Sequence, residues 1–193
     1  MGGMAAVMRN FRPRELWVTI DPDSDAYRSL LAEASELGTT VRHLRAGDTV
    51  PWSETQVAVL APEASYANSD EPANNDSLVM RVEYGRASVL LEGDAEAPSE
   101  QAMVERGLHP VTLLKVGHHG SRTSTTPEFF AALAPKDAIV SVGKGNTFGH
   151  PRFEVITRIA AGRTRLYRTD EFGLTTFLLG QDGDIRELTG AAD

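Results

Sequence analysis

Lys115-Val116-Gly117-His118-His119-Gly120-Ser121 follows the apolar run Val111 to Leu114 and comes soon after a second strand-like run that ends in Gly93-Asp94. An apolar run that halts at glycine reads as a buried strand delivering its next side chains to a loop. Three of the five histidines (His118, His119 and His150) and the carboxylate Asp94 fall in such loops, just beyond predicted strands. Side chains placed there can converge on an ion, which is the outline of a metal site.

Working outward, the pattern alternates. Glu15 to Ile20 is a β-branched run closed by Asp21-Pro22-Asp23, and Asp25 to Leu37 sets Tyr27, Leu30, Leu31, Ala34 and Leu37 at helical spacing. Thr40 to Leu44 and Gln56 to Leu60 read as strands, and Glu63 to Asp76 as a long polar loop. Ser77 to Tyr84 and Ala87 to Leu91 form a hairpin around Gly85, and Glu96 to Arg106 forms a helix. Thr126-Pro127 opens a helix through Leu133, with Thr as the capping residue. Ala138 to Val142 is a strand, Gly143 to Pro151 a glycine-rich loop, and Phe153 to Ala160 a helix. Terminal strands lie at Thr164 to Tyr167, Leu174 to Leu179 and Ile185 to Leu188. Helices packed on buried strands give an α/β or α+β layer architecture, and the strands are too many for one flavodoxin-like sheet. A two-sheet sandwich flanked by helices accommodates them.

With 193 residues, 41% of them hydrophobic, the chain can bury one core, so residues 1–193 are read as a single domain. A net charge of −8 opposes binding of nucleic acid by a general basic surface, though not by a local patch. There is no cysteine, so any metal must rest on His, Asp or water. No apolar run is long enough for a membrane span and no secretory leader is evident, so a soluble chain is expected.

Each site residue carries two readings. Asp94 suits a ligand bridging cations, and equally a cap for the helix that follows. Neighbouring side chains diverge at an extended turn, so one of His118 and His119 reaches the ion while the other serves as its partner or as a substrate-facing acid. His150 lies in Gly143-Lys144-Gly145-Asn146-Thr147-Phe148-Gly149-His150-Pro151, where amides and the Lys144 ammonium can meet an oxyanion; a tight loop with a backbone-bonded His is the plainer reading. Asn74, Asn75 and Asp76 can orient a ligand or form a turn. His43 and His109 are read as surface or packing residues, and Lys115 as a buried-strand lysine with its ammonium at the rim or beside a carboxylate.

Five segments together carry a family resemblance: Gly2 to Met8 with Leu16-Trp17-Val18, Asn75 to Val79, Leu91-Glu92-Gly93-Asp94-Ala95-Glu96, Leu114 to Ser121, and Gly145 to Pro151. In order and spacing they resemble the metallo-β-lactamase-fold domain at the C-terminal end of ComEC-family DNA-uptake proteins. The resemblance implies an αββα sandwich with a one- or two-metal site at its edge. It also implies hydrolysis of a DNA phosphodiester during uptake. It assigns Asp94 and His118 to a divalent metal, zinc or manganese, and His119, His150 and Lys144 to substrate or transition-state contacts. The family's His-x-His-x-Asp-His motif precedes the Gly-Gly that corresponds to Gly2-Gly3 and is absent here. The expectation is therefore a sandwich incomplete at the N-terminus, with an impaired site. Implied partners are single-stranded DNA and the upstream remainder of the domain or a membrane channel protein. An exposed sheet edge would favour self-association. The alternative is a non-catalytic nucleic-acid or protein-binding module using the Gly143 to Pro151 loop and Arg163, Arg165 and Arg168.

Overall fold

A computed structural model of the chain describes residues 3–63, 66 and 73–189. In chain order the elements are α1 (Met4–Phe11), β1 (Glu15–Val18), α2 (Asp25–Glu36), β2 (Thr40–His43), β3 (Thr49–Trp52), β4 (Thr55–Ala61), β5 (Val79–Tyr84), β6 (Ala87–Leu91) and α3 (Ala97–Glu105). Then come β7 (Leu113–Lys115), α4 (Pro127–Leu133), β8 (Asp137–Val140), α5 (Phe153–Ala161), β9 (Arg165–Arg168), α6 (Thr169–Phe172), β10 (Thr175–Leu179) and β11 (Ile185–Thr189). Two single 3-10 turns, Ala73–Asp76 and Gly117–Gly120, lie in loops.

Strands β3 to β9 form one sheet in sequence order, antiparallel from β3 to β6 and parallel from β6 to β9. Parallel neighbours need a crossover, and α3, α4 and α5 supply them. These helices bury Met103, Phe129, Phe130, Leu133, Val155 and Ile159 against Leu90, Leu114, Ala138 and Val140 of the sheet. On the other face, β1 and β2 form a separate parallel pair. Its period-two alternation sorts the layers: Leu16 and Val18 pack on Met8, Leu30 and Ala34 of α1 and α2, while Trp17 turns toward Val50, Val57 and Val59 of the large sheet. The order is helices, small sheet, large sheet, helices, which is the αββα sandwich read from the sequence.

The second sheet layer is divided. Hairpin β10–β11 pairs with neither larger element and rests on β9 through Phe177, whose ring meets Tyr167 edge-on at 5.2 Å. Strand β3 was not legible, because Pro51 interrupts its pattern; it is an edge strand, where a missing amide donor is tolerated. The polar segment from Glu63 to Asp76 falls partly outside the described residues, as does Gly2. Among the described residues no helix is long and apolar enough to cross a membrane.

Candidate metal and hydrolytic site

The four parallel strands end side by side, the loops after β7, β8 and β9 line one cleft, and the loop after β6 reaches its rim through Asp94, 3.7 Å from His119. Asp94 follows β6, His118 and His119 follow β7, Ser141 to His150 follow β8, and Thr169 follows β9. Placement at the carboxyl ends of parallel strands is the rule for ligand sites in α/β sheets. The cleft has a volume of 420 Å³ and is lined by His119, Ser141, Val142, Gly143, Asn146, Phe148, His150 and Thr169.

The histidine loop is strained and supported from below. His118 (φ 44°, ψ 42°) and His119 (φ 55°, ψ 22°) are consecutive non-glycine residues in the left-handed region, costing roughly 1–2 kcal/mol each. Directly beneath lie Glu92 and Glu100, both wholly buried. Glu92 accepts from the amide of Gly117 (2.8 Å) and from the amide and hydroxyl of Thr125 (3.2 and 3.0 Å). Glu100 accepts from the amides of Thr125 and Thr126. Burial, and then the neighbouring Glu100 carboxyl, push Glu92 well above the usual glutamate range, which favours its protonated form. Gly117 has to be glycine: a Cβ there would stand 2.2 Å from Glu92 Oε1. Thr126 occupies the cap of α4 as expected, but its side chain makes no capping bond; its amide goes to Glu100 instead.

Above this support the two imidazoles diverge. The sequence gives the ligand role to His118 and the substrate side to His119; the structure turns His119, not His118, toward Asp94. His119 Nδ1 lies 2.7 Å from the carbonyl oxygen of Ser141, which can only accept, so Nδ1 carries a proton and, in the neutral ring, Nε2 is the nitrogen with the free lone pair. That Nε2 stands 3.7 Å from Asp94 Oδ1, too far for a hydrogen bond. Asp94 is not the helix cap. Asn75 Oδ1 takes the amides of Glu96 (3.0 Å) and Ser99 (3.4 Å) at the start of α3, so the Asn74 to Asp76 turn is structural. Asn74 Nδ2 also donates to Glu96 Oε1 (2.9 Å), which lies 3.3 Å from His118 Nδ1 without hydrogen-bond alignment.

The His150 loop is clamped to the histidine loop. The amide of Arg152 donates to Gly120 O (2.8 Å), and a Cβ on Gly120 would come within 2.5 Å of Pro151 Cβ. Asn146 braces the loop from inside, donating to His150 O (2.8 Å) and accepting from His150 N (3.1 Å). The His150 ring meets His118 edge-on at 5.9 Å and stacks on Phe148 at 6.1 Å. Burial, then the charges of Arg152, His118 and His119, lower the pKa of His150, and its Nδ1 is buried without a hydrogen-bond partner. Lys144 is exposed on this loop and does not line the cleft. The Lys115 ammonium bonds to Val116 O (2.9 Å), its pKa lowered by burial against the opposing pull of Glu92 and Asp94.

His43 is exposed and lies 2.8 Å from Asp21, and His109 is exposed; neither approaches the cleft. Sequence reasoning gave no role to Glu92, Glu96, Asn146 or Phe148. Two acidic residues flanking Asp94 and an Asn inside a Gly-rich loop were the available signals. The arginine cluster is largely neutralised: Arg165 pairs with buried Asp137, and Arg168 with Asp170 and Glu171.

Do these residues fit a metal? Two lone-pair donors face each other at 3.7 Å, within the ~4 Å that two bonds to one zinc ion span. Among the described residues, however, no three His, Asp or Glu side chains are grouped to hold an ion. The fit is that of two donors, one fewer than the three protein ligands of a catalytic zinc.

Residues 71–144, which include Asp94, His118, His119 and Lys144, match the family model of the Metallo-beta-lactamase superfamily. The chain is 39% identical over 149 residues to ComE operon protein 3 of Bacillus subtilis, an alignment covering 75% of this chain and 18% of that protein. It is 34% identical over 137 residues to Recombination protein 2 of Haemophilus influenzae, covering 71% and 17%. It is 35% identical over 134 residues to Competence protein ComA of Neisseria gonorrhoeae, covering 68% and 19%. The matched region is thus less than a fifth of each relative. Among solved structures, CmlA, a diiron β-hydroxylase from Streptomyces venezuelae, superposes with a TM-score of 0.54 over 91% of this chain and 40% of that one, at 14% identity, which bears on the fold alone. Strand-end motifs, layer order and relatives agree that this chain is a metallo-β-lactamase-fold domain of the ComEC-family kind.

Proposed function

We propose that the chain supplies part of a metal-dependent phosphodiesterase centre acting on DNA in the course of uptake. The observation that carries this reading is the opposition of Asp94 Oδ1 and His119 Nε2. In the neutral tautomer compatible with the bond from His119 Nδ1 to Ser141 O, Nε2 and Asp94 Oδ1 are two electron-pair donors facing each other at 3.7 Å, an arrangement that a cation between them would stabilise. The names of the competence and recombination relatives supply the nucleic-acid context. A bound divalent ion would supply a water of lowered pKa and stabilise charge on a phosphoryl oxygen.

The chain's own residues have separate tasks. Asp94 and His119 offer donors. The Glu92–Thr125–Glu100 network holds the left-handed turn that aims His119. His150, whose burial disfavours its charged form, walls the cleft beside His118.

Titration of the chain with manganese or zinc by calorimetry tests the reading. The expected result is one site per chain, weaker than a complete zinc site and lost in both Asp94→Ala and His119→Ala, with single-stranded DNA cleaved only when the ion is present. An ion that binds the two variants as well as the parent overturns it. A second reading, a non-catalytic binding module, is favoured by the two-donor count. It predicts DNA binding that persists in chelator with no cleavage under any metal. The pairing of Arg165 and Arg168 neutralises two of the three arginines that reading relied on.

A further inference from the structure

Phe148 is 72% exposed although its neighbours in the loop are firmly held. An apolar ring left in water is informative when its surroundings fix it there. One face of the ring stacks on His150, with the planes 11° apart, and Asn146 locks the backbone on both sides through His150 and Gly143. The ring lines the same cleft as His119. It is a rigid, flat, uncharged surface beside the Asp94–His119 pair.

We propose that Phe148 is a stacking platform for a base of single-stranded nucleic acid, seating the strand over Asp94 and His119 by ring contact. This rests on the nucleic-acid reading of the site given above. Charge argues for the ring as the source of affinity: at −8 the chain as a whole repels a polyanion, so attraction has to be short-ranged. Base–aromatic stacking is such a force, tolerant of sequence because every base has a flat face. The cations closest in sequence are Lys144, exposed on the same loop, and Arg152, at the start of α5 just beyond it, and a phosphodiester flanking the stacked base would be offered these two. Duplex DNA, whose bases are already stacked, does not present this surface.

The test measures fluorescence anisotropy of a labelled oligothymidylate, and of an abasic polymer of the same length, with the full chain in chelator so that nothing is cleaved. Phe148→Ala is expected to weaken oligothymidylate about tenfold and leave the abasic polymer unchanged, with Phe148→Trp restoring the parent affinity. Equal weakening of both polymers, or no change in Phe148→Ala, overturns the stacking role while leaving the nucleic-acid reading in place. Failure of the parent to bind either polymer overturns both. Displacement of the oligonucleotide by a phenylalanine-rich peptide at equal concentration would assign the ring to a protein partner and overturn the proposal. Thermal unfolding of each variant confirms that the exposed substitution leaves the fold intact.

Discussion

The loop at Gly117–Gly120 rests on two buried carboxyls and carries His118 and His119 in the left-handed region, whereas the loop at Gly143 to Pro151 is braced by its own Asn146 and leaves Phe148 in solvent. They meet at Gly120 and Pro151. The first is positioned by the core, so an error there is felt throughout the fold. The second is positioned by short-range bonds, so its tip can vary without cost to the core. An active site built this way separates the group that needs exact aim from the surface that chooses a substrate.

Four substitutions would break or sharpen that contrast. The largest effect is expected from Gly117→Ala, which drives a methyl group into the Glu92 carboxyl; a loss of about 3 kcal/mol in denaturant unfolding is anticipated. An unchanged midpoint would mean that the carboxyl support is not rigid. Asn146→Ala removes the internal brace of the other loop and should cost about 1–2 kcal/mol. Its effect should appear as faster amide exchange confined to that loop, and faster exchange in α3 as well would show the loops to be one unit.

Glu92→Gln keeps the shape of the support without its titration, and below pH 4.5, where the parent carboxyl is protonated in both folded and unfolded chains, should change stability by no more than about 1 kcal/mol. Because burial raises the Glu92 pKa, its contribution is fully present below the unfolded value of 4.5 and is lost as pH climbs through the raised folded value. The parent should therefore lose stability relative to Glu92→Gln as pH rises above 4.5. A parallel pH dependence would show that Glu92 is ionised in the fold. Phe148→Ala should fall within about 0.5 kcal/mol of the parent. A larger loss would place Phe148 in the structural class with Gly117.

Most of this architecture was legible because it depends on local pattern. The runs Val89 to Leu91, Leu113 to Lys115 and Ala138 to Val140 are apolar and end at glycine or polar residues, and each became a parallel strand delivering a site loop. The divergence of His118 and His119 was also legible, since adjacent residues at a turn cannot share a direction. Which of the two would face Asp94 was not. That depends on two successive left-handed residues, a conformation supported by the buried Glu92 and Thr125 beneath them and by the bond from His118 N to Gly93 O. Asp94 and Asn75 both had helix-capping chemistry, and the choice between them required the turn at Ala73–Asp76 to be folded against α3. Strand β3 was hidden by Pro51, and α1 by the lack of a capping side chain at Gly3.

Both tryptophans of the chain, Trp17 on β1 and Trp52 on β3, lie in the half that contributes nothing to the cleft. Intrinsic fluorescence during denaturation therefore watches the small sheet and the antiparallel edge, while far-UV dichroism sums over every helix and strand. Coincident curves would show that the two halves melt as one cooperative unit, and separated curves that they do not. A native-looking emission spectrum consequently certifies only the half with no site residues. The aromatic position on the Gly143 to Pro151 loop is the natural place to install an optical reporter that sees the rest.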